Sequence, residues 1–324
     1  MKAKKIIAGV AFLGALALTA TGCAGGGGAA AGGDGVITVG FAQTGSESGW
    51  RSANTESMKE AFSEANGFNL VFNAADNKPE AQIAAVRSFI NQGVDAIVLA
   101  PIVTDGWDDV LKEAKDANIP VILEDRTVSA SEDLYASWIG LDFTKEGETA
   151  GTWVAENFGS TPTNMVVLEG TTGSSAATDR ATGFDSAIAG TDIKVLDSQT
   201  GNFTRADGKT VMEGFLQKYG SQINLLFAHN DDMGLGALEA IKAAGLTPGT
   251  DIKIVTIDAV KDGMTALADG EFNYIVECNP LLGEKTAEVV KKVVAGESVD
   301  KSYIVEDQAF DQEQAKKVLD SRPY

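Results

Sequence analysis

The sequence is poor in the residues that most often carry chemistry. Its 324 residues include one histidine, His229, and two cysteines, Cys23 and Cys278. Zinc sites are built from clusters of these two residue types at short fixed spacings, and neither CxxC nor HExxH occurs here. A lone histidine next to Asn230 reads as a structural or rim-lining residue rather than a general base. Glycine is plentiful, at 36 residues, but "AGGGGAAAGG" and "GLGALEAIKAAG" do not follow strands as a dinucleotide-binding GxGxxG turn must. Positive charge is also scarce. The 26 Lys and Arg against 46 Asp and Glu give a formal net charge of −20. Such a surface repels phosphate backbones, which argues against nucleic acid as a partner and for a soluble, self-repelling exterior. No cofactor is expected.

Only one long apolar run is present, and it lies at the start. "MKAKK" is a basic segment and "IIAGVAFLGALALTA" an apolar one, shorter than the ~20 residues of a spanning helix and suited to a secretory signal. It ends in "ATGC", which resembles a bacterial lipobox, although Ala20 stands where leucine is more usual. Residues 1–22 are read as the signal, Cys23 as the lipidated residue, and the Gly/Ala-rich segment to residue 35 as a flexible tether. An ordinary signal peptide with a coincidental cysteine is the alternative. If Cys23 carries lipid, Cys278 has no disulfide partner and reads as a small buried hydrophobe. The rest of the chain is then expected outside the cytoplasm, attached to the membrane through the anchor alone.

The length beyond the tether suits two domains. From Val36 on, short β-branched runs alternate with helical stretches. "VITVGFA", "NLVFNA", "DAIVLAP" and "PVILED" read as strands, and Met58, Ala61, Phe62 and Ala65 mark one face of a helix between them. A second set follows "ASWIGLD", with strands at "NMVVLEG", "KVLDSQT", "NLLFAHN", "IKIVTID" and "YIVEC". This alternation predicts α/β architecture: two doubly wound, Rossmann-like parallel-sheet lobes with helices on both faces. Ligands in such sheets bind outside the carboxyl ends of the strands.

Those ends carry one kind of chemistry. The first has Glu47, Trp50 and Arg51, and the third has Thr104, Asp105 and Trp107. "PVILEDR" ends in Asp125 and Arg126. In the second set, Arg180, Phe203, Arg205, Asn230, Asp231, Asp258, Glu277 and Asn279 fall at equivalent places. Carboxylates accept hydrogen bonds, guanidiniums donate them in a fixed fork, and an aromatic face packs on the C–H surface of a sugar ring. A polyhydroxylated ring needs all three on leaving water. Each residue taken singly has a plainer reading: a helix cap for Asp231 or Asp258, core for Trp107 or Phe203, a surface pair for Asp125 with Arg126. Their conjunction at one pole of both sheets favours a site.

The motifs "FAQTGSESGWR", "GVDAIVLAP", "EDR", "TDRATGF", "GNFTR", "AHNDDM" and "TIDAV" resemble the periplasmic binding proteins of the ribose/galactose type, and the galactofuranose-binding branch in particular. The likeness runs from about Val36 to Phe310. It implies the type I fold, with two lobes joined by a three-strand hinge that close over a sugar, and an ABC permease with its ATPase that reads the closed form. It implies ligand contacts at Trp50, Arg51, Asp125, Arg126, Arg180, Phe203, Asn230, Asp258 and Glu277. Ribose-binding members have two phenylalanines where this chain has Trp50 and Arg51, and a glutamine where it has Glu277, so ribopyranose is a poor expectation.

The resulting expectation is a monomeric, lipid-anchored solute-binding protein, not an enzyme, that captures a monosaccharide by hinge closure. The first lobe is expected over 36–140 plus 279–306 and the second over 141–278 plus 307–324, with crossings near Gly140, near Cys278 and around Glu306. Trp50 or Phe203 is expected to stack on the ring, and Arg51 and Glu277 to select the ring form. A receptor that presents a sugar or autoinducer to a sensor kinase or chemoreceptor fits the same residues. An exported glycan-active enzyme is the third reading, and turnover of aryl glycosides would reveal it.

Overall fold

A computed structural model describes residues 35–324; the expected signal, Cys23 and the tether up to residue 34 lie outside the described residues. The first half runs β1 (Ile37–Gln43), α1 (Gly49–Ala61), β2 (Phe68–Ala74), α2 (Pro79–Gln92), β3 (Ala96–Leu99) and α3 (Asp108–Asp116). It continues with β4 (Val121–Asp125) and β5 (Ser137–Gly140). Then come α4 (Phe143–Phe158), β6 (Thr163–Glu169), α5 (Ser175–Ile188), β7 (Ile193–Thr200), α6 (Arg205–Tyr219) and β8 (Leu225–Ala228). The remainder is α7 (Asp231–Ala243), β9 (Lys253–Asp258), α8 (Lys261–Ala268), β10 (Tyr274–Glu277), α9 (Gly283–Val294), β11 (Ser302–Ile304), β12 (Ala309–Phe310) and α10 (Gln312–Val318).

Two six-stranded sheets result, ordered β11-β5-β4-β3-β1-β2 and β12-β10-β9-β8-β6-β7. Every pairing is parallel except β12 against β10, so the second sheet is mixed at one edge. The central strands read as unbroken apolar runs because helices cover both faces. β3 and β8 are buried along their whole length. In each sheet the strand order reverses beside the first strand of the set, between β1 and β3 and between β6 and β8. Such a switch point leaves a crevice beyond the carboxyl ends.

The chain passes between the sheets three times, after β5, after β10 and after β11. The crossings are tied together. The Asn279 amide donates to the Asp307 carboxylate at 2.9 Å, and the Glu277 amide to the Gln308 carbonyl at 2.7 Å. The expected strands and helices are present. Five elements lie outside the sequence reading: α9, α10 and the short strands β5, β11 and β12.

Candidate functional site

The carboxyl ends of the two sheets face one another across a small cavity. It is lined by Glu47, Ser48, Trp50, Arg51, Asp125 and Arg126 from the first lobe, and by Ala176, Arg180, Phe203, Asn230 and Asp258 from the second. Cys278, on a crossing segment, completes it. The lobes also touch directly at its rim. The Gly49 amide donates to Asp232 at 2.6 Å, the Thr104 amide to the Gly173 carbonyl at 2.9 Å, and the Thr127 amide to Ser175 Oγ at 3.1 Å. The structure is therefore a closed form.

Each wall follows from local sequence. Ser48 caps α1 by accepting from the Arg51 amide at 3.0 Å, which starts the helix where Trp50 and Arg51 point inward. Trp50 is nearly buried, and its indole N–H donates to the Cys278 carbonyl at 2.6 Å. The Arg51 guanidinium lies 4.6 Å from the Trp50 ring centre, donates from Nη2 to Asp125 at 2.7 Å and from Nε to Glu47 at 3.0 Å. Behind this row, Asn54 donates to Glu124 at 2.5 Å and Gln43 donates to Asn54 at 2.9 Å.

The second lobe supplies a matching arrangement. Arg180 donates to Glu146 at 2.7 Å and to the His229 carbonyl at 2.6 Å, while its Nη2 stays 3.7 Å from Asp258, beyond hydrogen-bond reach. Arg180 can occupy this place because α4 and α5 pack through glycine. A Cβ on Gly147 would come within 2.1 Å of the Arg180 carbonyl oxygen. Gly170 plays the same part for the aromatic wall, since a Cβ there would lie 1.9 Å from Phe203 Cζ.

Backbone strain gathers here. Asp125, Phe203 and Asp258 have φ of 62°, 62° and 128°, in the region that favours glycine. Residues with a Cβ hold such conformations only where the surroundings over-determine them, and they cluster at ligand sites. Asn230 is one of the supports: it caps α7 by accepting from the Met233 amide at 3.0 Å and donates to the Phe203 carbonyl at 3.2 Å.

Three guanidiniums (Arg51, Arg126, Arg180) and three carboxyl groups (Glu47, Asp125, Asp258) share the cavity wall. Burial alone would raise the Glu47 carboxyl, but Arg51 and Arg126 outweigh it and hold the group below its ordinary value. Burial likewise disfavours charge on Arg51 and Arg180, yet their carboxylate partners raise both above the ordinary guanidinium value. Asp258 is pushed well up by burial, against the pull of Arg180. Burial and Asp125 push Glu124 upward too. His229 moves the other way, down to about 3, because burial and Arg180 both oppose a second proton.

Hydrogen-bonding capacity is left over where a ligand would lie. Arg126 donates from Nη1 to the Ile102 carbonyl at 3.2 Å, but its buried Nε has no partner. Its guanidinium sits 5.1 Å from the Phe203 ring centre, and that of Arg180 5.9 Å from the same ring. Among the described residues no cluster of His, Cys, Asp and Glu could hold a metal ion.

The structure thus brings Trp50, Arg51, Asp125, Arg126, Arg180, Phe203, Asn230 and Asp258 to one cavity. Glu277, expected as a ligand contact, is not among the lining residues. Its carboxylate turns outward to Arg322 and Tyr324, and the next residue, Cys278, lines the cavity instead. Side chains alternate along a strand end, so a one-residue choice decides which face is reached. Glu47, Ser48, Ala176 and Cys278 were not singled out as contacts. The i, i+4 spacing of Glu47 and Arg51 and the cap signal at Ser48 were the available clues. Asp231, read as a possible cap, is buried and accepts from Thr256 and from the Val260 amide.

Residues 39–298 match the profile of the periplasmic binding protein domain. The galactofuranose-binding protein YtfQ of Escherichia coli K12 is 46% identical over 260 residues, covering 79% of this chain and 81% of that protein. The fructose import binding protein FruE of Bifidobacterium longum is 40% identical over 325 residues, covering 98% of this chain and 97% of its own. A Mycobacterium smegmatis protein solved in complex with β-D-fucofuranose superposes with a TM-score of 0.87 at 57% identity, covering 89% of this chain and 96% of that one.

Proposed function

The chain belongs to the periplasmic binding proteins, with their type I fold of two parallel-sheet α/β lobes, and from that premise we propose that it is the sugar receptor of an ABC importer. It captures a monosaccharide in its furanose form by closing the two lobes over it. One observation carries this reading: a small cavity lined from both lobes, Trp50 and Phe203 included, where Arg126 Nε, Arg180 Nη2 and Asp258 keep unused hydrogen-bonding capacity. The furanose preference is supported by the relatives that bind galactofuranose and fucofuranose. Fructose, handled by the FruE relative, is also a candidate.

In this reading the protein works outside the cytoplasm as a monomer, anchored through Cys23, and the ligand stabilises the closed state by bridging the lobes. The anchor rests on the sequence pattern "ATGC" after a signal-like segment. Titration calorimetry against D-galactose, D-fucose, L-arabinose, D-fructose and D-ribose tests the assignment, with ¹³C NMR of the bound sugar to report ring form. Binding of a furanose is the expected result. A sugar bound as its pyranose would overturn the ring-form assignment, and a response only to a non-sugar metabolite would overturn the whole reading.

A further inference from the structure

Glu277 immediately precedes the cavity-lining Cys278 and turns away from the cavity. Its Oε1 accepts from Nη1 of Arg322 at 2.6 Å and from the Tyr324 hydroxyl at 2.8 Å, and its Oε2 accepts from the Gln308 amide at 3.2 Å. Arg322 reaches further. Its Nη2 donates to the Ala259 carbonyl at 2.8 Å, beside the site residue Asp258. Asp258 and Ala259 have φ of 128° and 62°, two successive unfavourable conformations for residues with a Cβ. Such a turn persists only where its surroundings hold it.

Three hydrogen bonds hold this one. The Cys278 amide donates to the Asp258 carbonyl at 3.2 Å, the Val260 amide to Asp231 at 2.9 Å, and Arg322 to Ala259. The first two come from inside the sheet and its loops. The third comes from a segment beyond α10, and the same guanidinium also fixes the end of β10. The Arg322 side chain is 8% exposed, with the Phe310 and Tyr324 rings at 5.3 and 4.4 Å.

We propose that Arg322, with Glu277 as its anchor, is a positioning residue for the sugar site. It touches no cavity residue's side chain, but it ties the strained Asp258–Ala259 turn to the strand end that presents Cys278. The bound sugar would then feel Arg322 only through Asp258 and the crossing segment. The affinity consequence rests on the sugar-binding reading; the effect on the turn does not.

The test uses the full chain and its Arg322→Met variant in two arms. In sugar-free protein, hydrogen exchange of amides in 257–260 and 277–279 is expected to rise about fivefold or more, with β1 and β3 unchanged. Unchanged exchange at those segments, or an equal rise everywhere, would overturn the proposal. In the second arm, affinity for the best-bound of D-galactose, D-fucose and L-arabinose is expected to fall roughly tenfold. Arg322→Met combined with Asp258→Asn should lose no more than Asp258→Asn alone, because one residue acts through the other. Losses that multiply would mark Arg322 as merely structural. If Arg322→Met does not fold, Arg322→Lys, whose single amine reaches only one of the two acceptors, should show the same local pattern at smaller amplitude. A parent protein that binds no sugar would sink the functional reading, while the exchange arm would still decide the clasp.

Discussion

Closure itself can be perturbed without touching the cavity, at Asp232. This residue stands in the first turn of α7, is 6% exposed, and receives the Gly49 amide at 2.6 Å across the cleft. Gly49 opens α1, so the N-terminal ends of two helices converge on one carboxylate, where unpaired amides and helix dipoles favour negative charge. The bond joins the lobes, so it exists in the closed form and is absent once they separate. Charge-assisted hydrogen bonds contribute about 1.5–3 kcal/mol. The lower end applies here, because Gly49 is exposed and its amide can find water, and because Asp232 also accepts from Arg205 at 3.1 Å. Losing about 1.5 kcal/mol from the closed state weakens apparent sugar affinity about tenfold. Asp232→Ala is therefore expected to raise Kd about tenfold in titration calorimetry, and Asp232→Asn, which keeps an acceptor without the charge, roughly threefold. Small-angle scattering of the sugar-free protein should be unchanged. A Kd within a factor of two of the parent would refute the argument. So would a loss matched by an equal fall in stability of the sugar-free protein.

Three further outcomes are expected. Gly170→Ala places a Cβ 1.9 Å from Phe203 Cζ, so the ring must leave its position; affinity should fall at least about tenfold and overpacking cost about 1–3 kcal/mol by chemical denaturation, with partial recovery on adding Phe203→Leu. Arg126→Ala removes the buried guanidinium whose Nε is free at the cavity and should weaken sugar binding about 10- to 100-fold by calorimetry; full affinity in this variant would remove Arg126 from the site. His229, ordinarily near 6.5 and held down to about 3, stays neutral in the fold while the unfolded chain takes up a proton between those values. Its contribution to stability is therefore present above pH 6.5 and is lost as pH falls toward 3, at up to about 1.4 kcal/mol per unit. His229→Asn can keep an acceptor for the Gly170 amide and should lose less stability than the parent between pH 6.5 and 4, read from urea midpoints; a parallel decline in both proteins would exclude the effect.

The two-lobed plan was legible because the central strands are long enough to show their period and the helices between them carry apolar faces. β11 and β12 are three and two residues long, too short for alternation to register, and they form because the chain must cross between sheets. α9 lacks a side-chain cap, since Leu282 occupies the N-cap position. α10 did carry a signal: Asp311 and Gln314 form a capping box. In the site, the rule that ligands meet strand ends, together with the family motifs, led to loops that line the cavity. It chose Asn230 over Asp231 but not Cys278 over Glu277. Asn230 rather than Asp231 faces the cavity because Asn230 is the cap that begins α7, while Asp231 turns inward to Thr256. Glu277 and Cys278 exchange roles for the same reason, and only the outward partners Arg322 and Tyr324, far along the chain, decide it.

The same distinction between facing the cavity and facing away explains how so many charges are tolerated. Removing an ion from water costs several kcal/mol even after relaxation, and one unpaired buried charge would offset much of a domain's stability. Here every lining guanidinium has a protein partner: Arg51 has Glu47 and Asp125 beside it on the wall, Arg180 has Glu146 and the His229 carbonyl, and Arg126 has the Ile102 carbonyl. Those partners fix each fork before any ligand arrives, which lowers the ordering cost of binding. They also fix the sign of what can enter. With Arg51 and Arg180 each held by a carboxylate, a charged ligand at either would have to compete with an existing ion pair. A neutral polyol meets the free donors and acceptors without disturbing any pair. Selectivity for uncharged sugars therefore follows from the pairing that makes the buried charges stable.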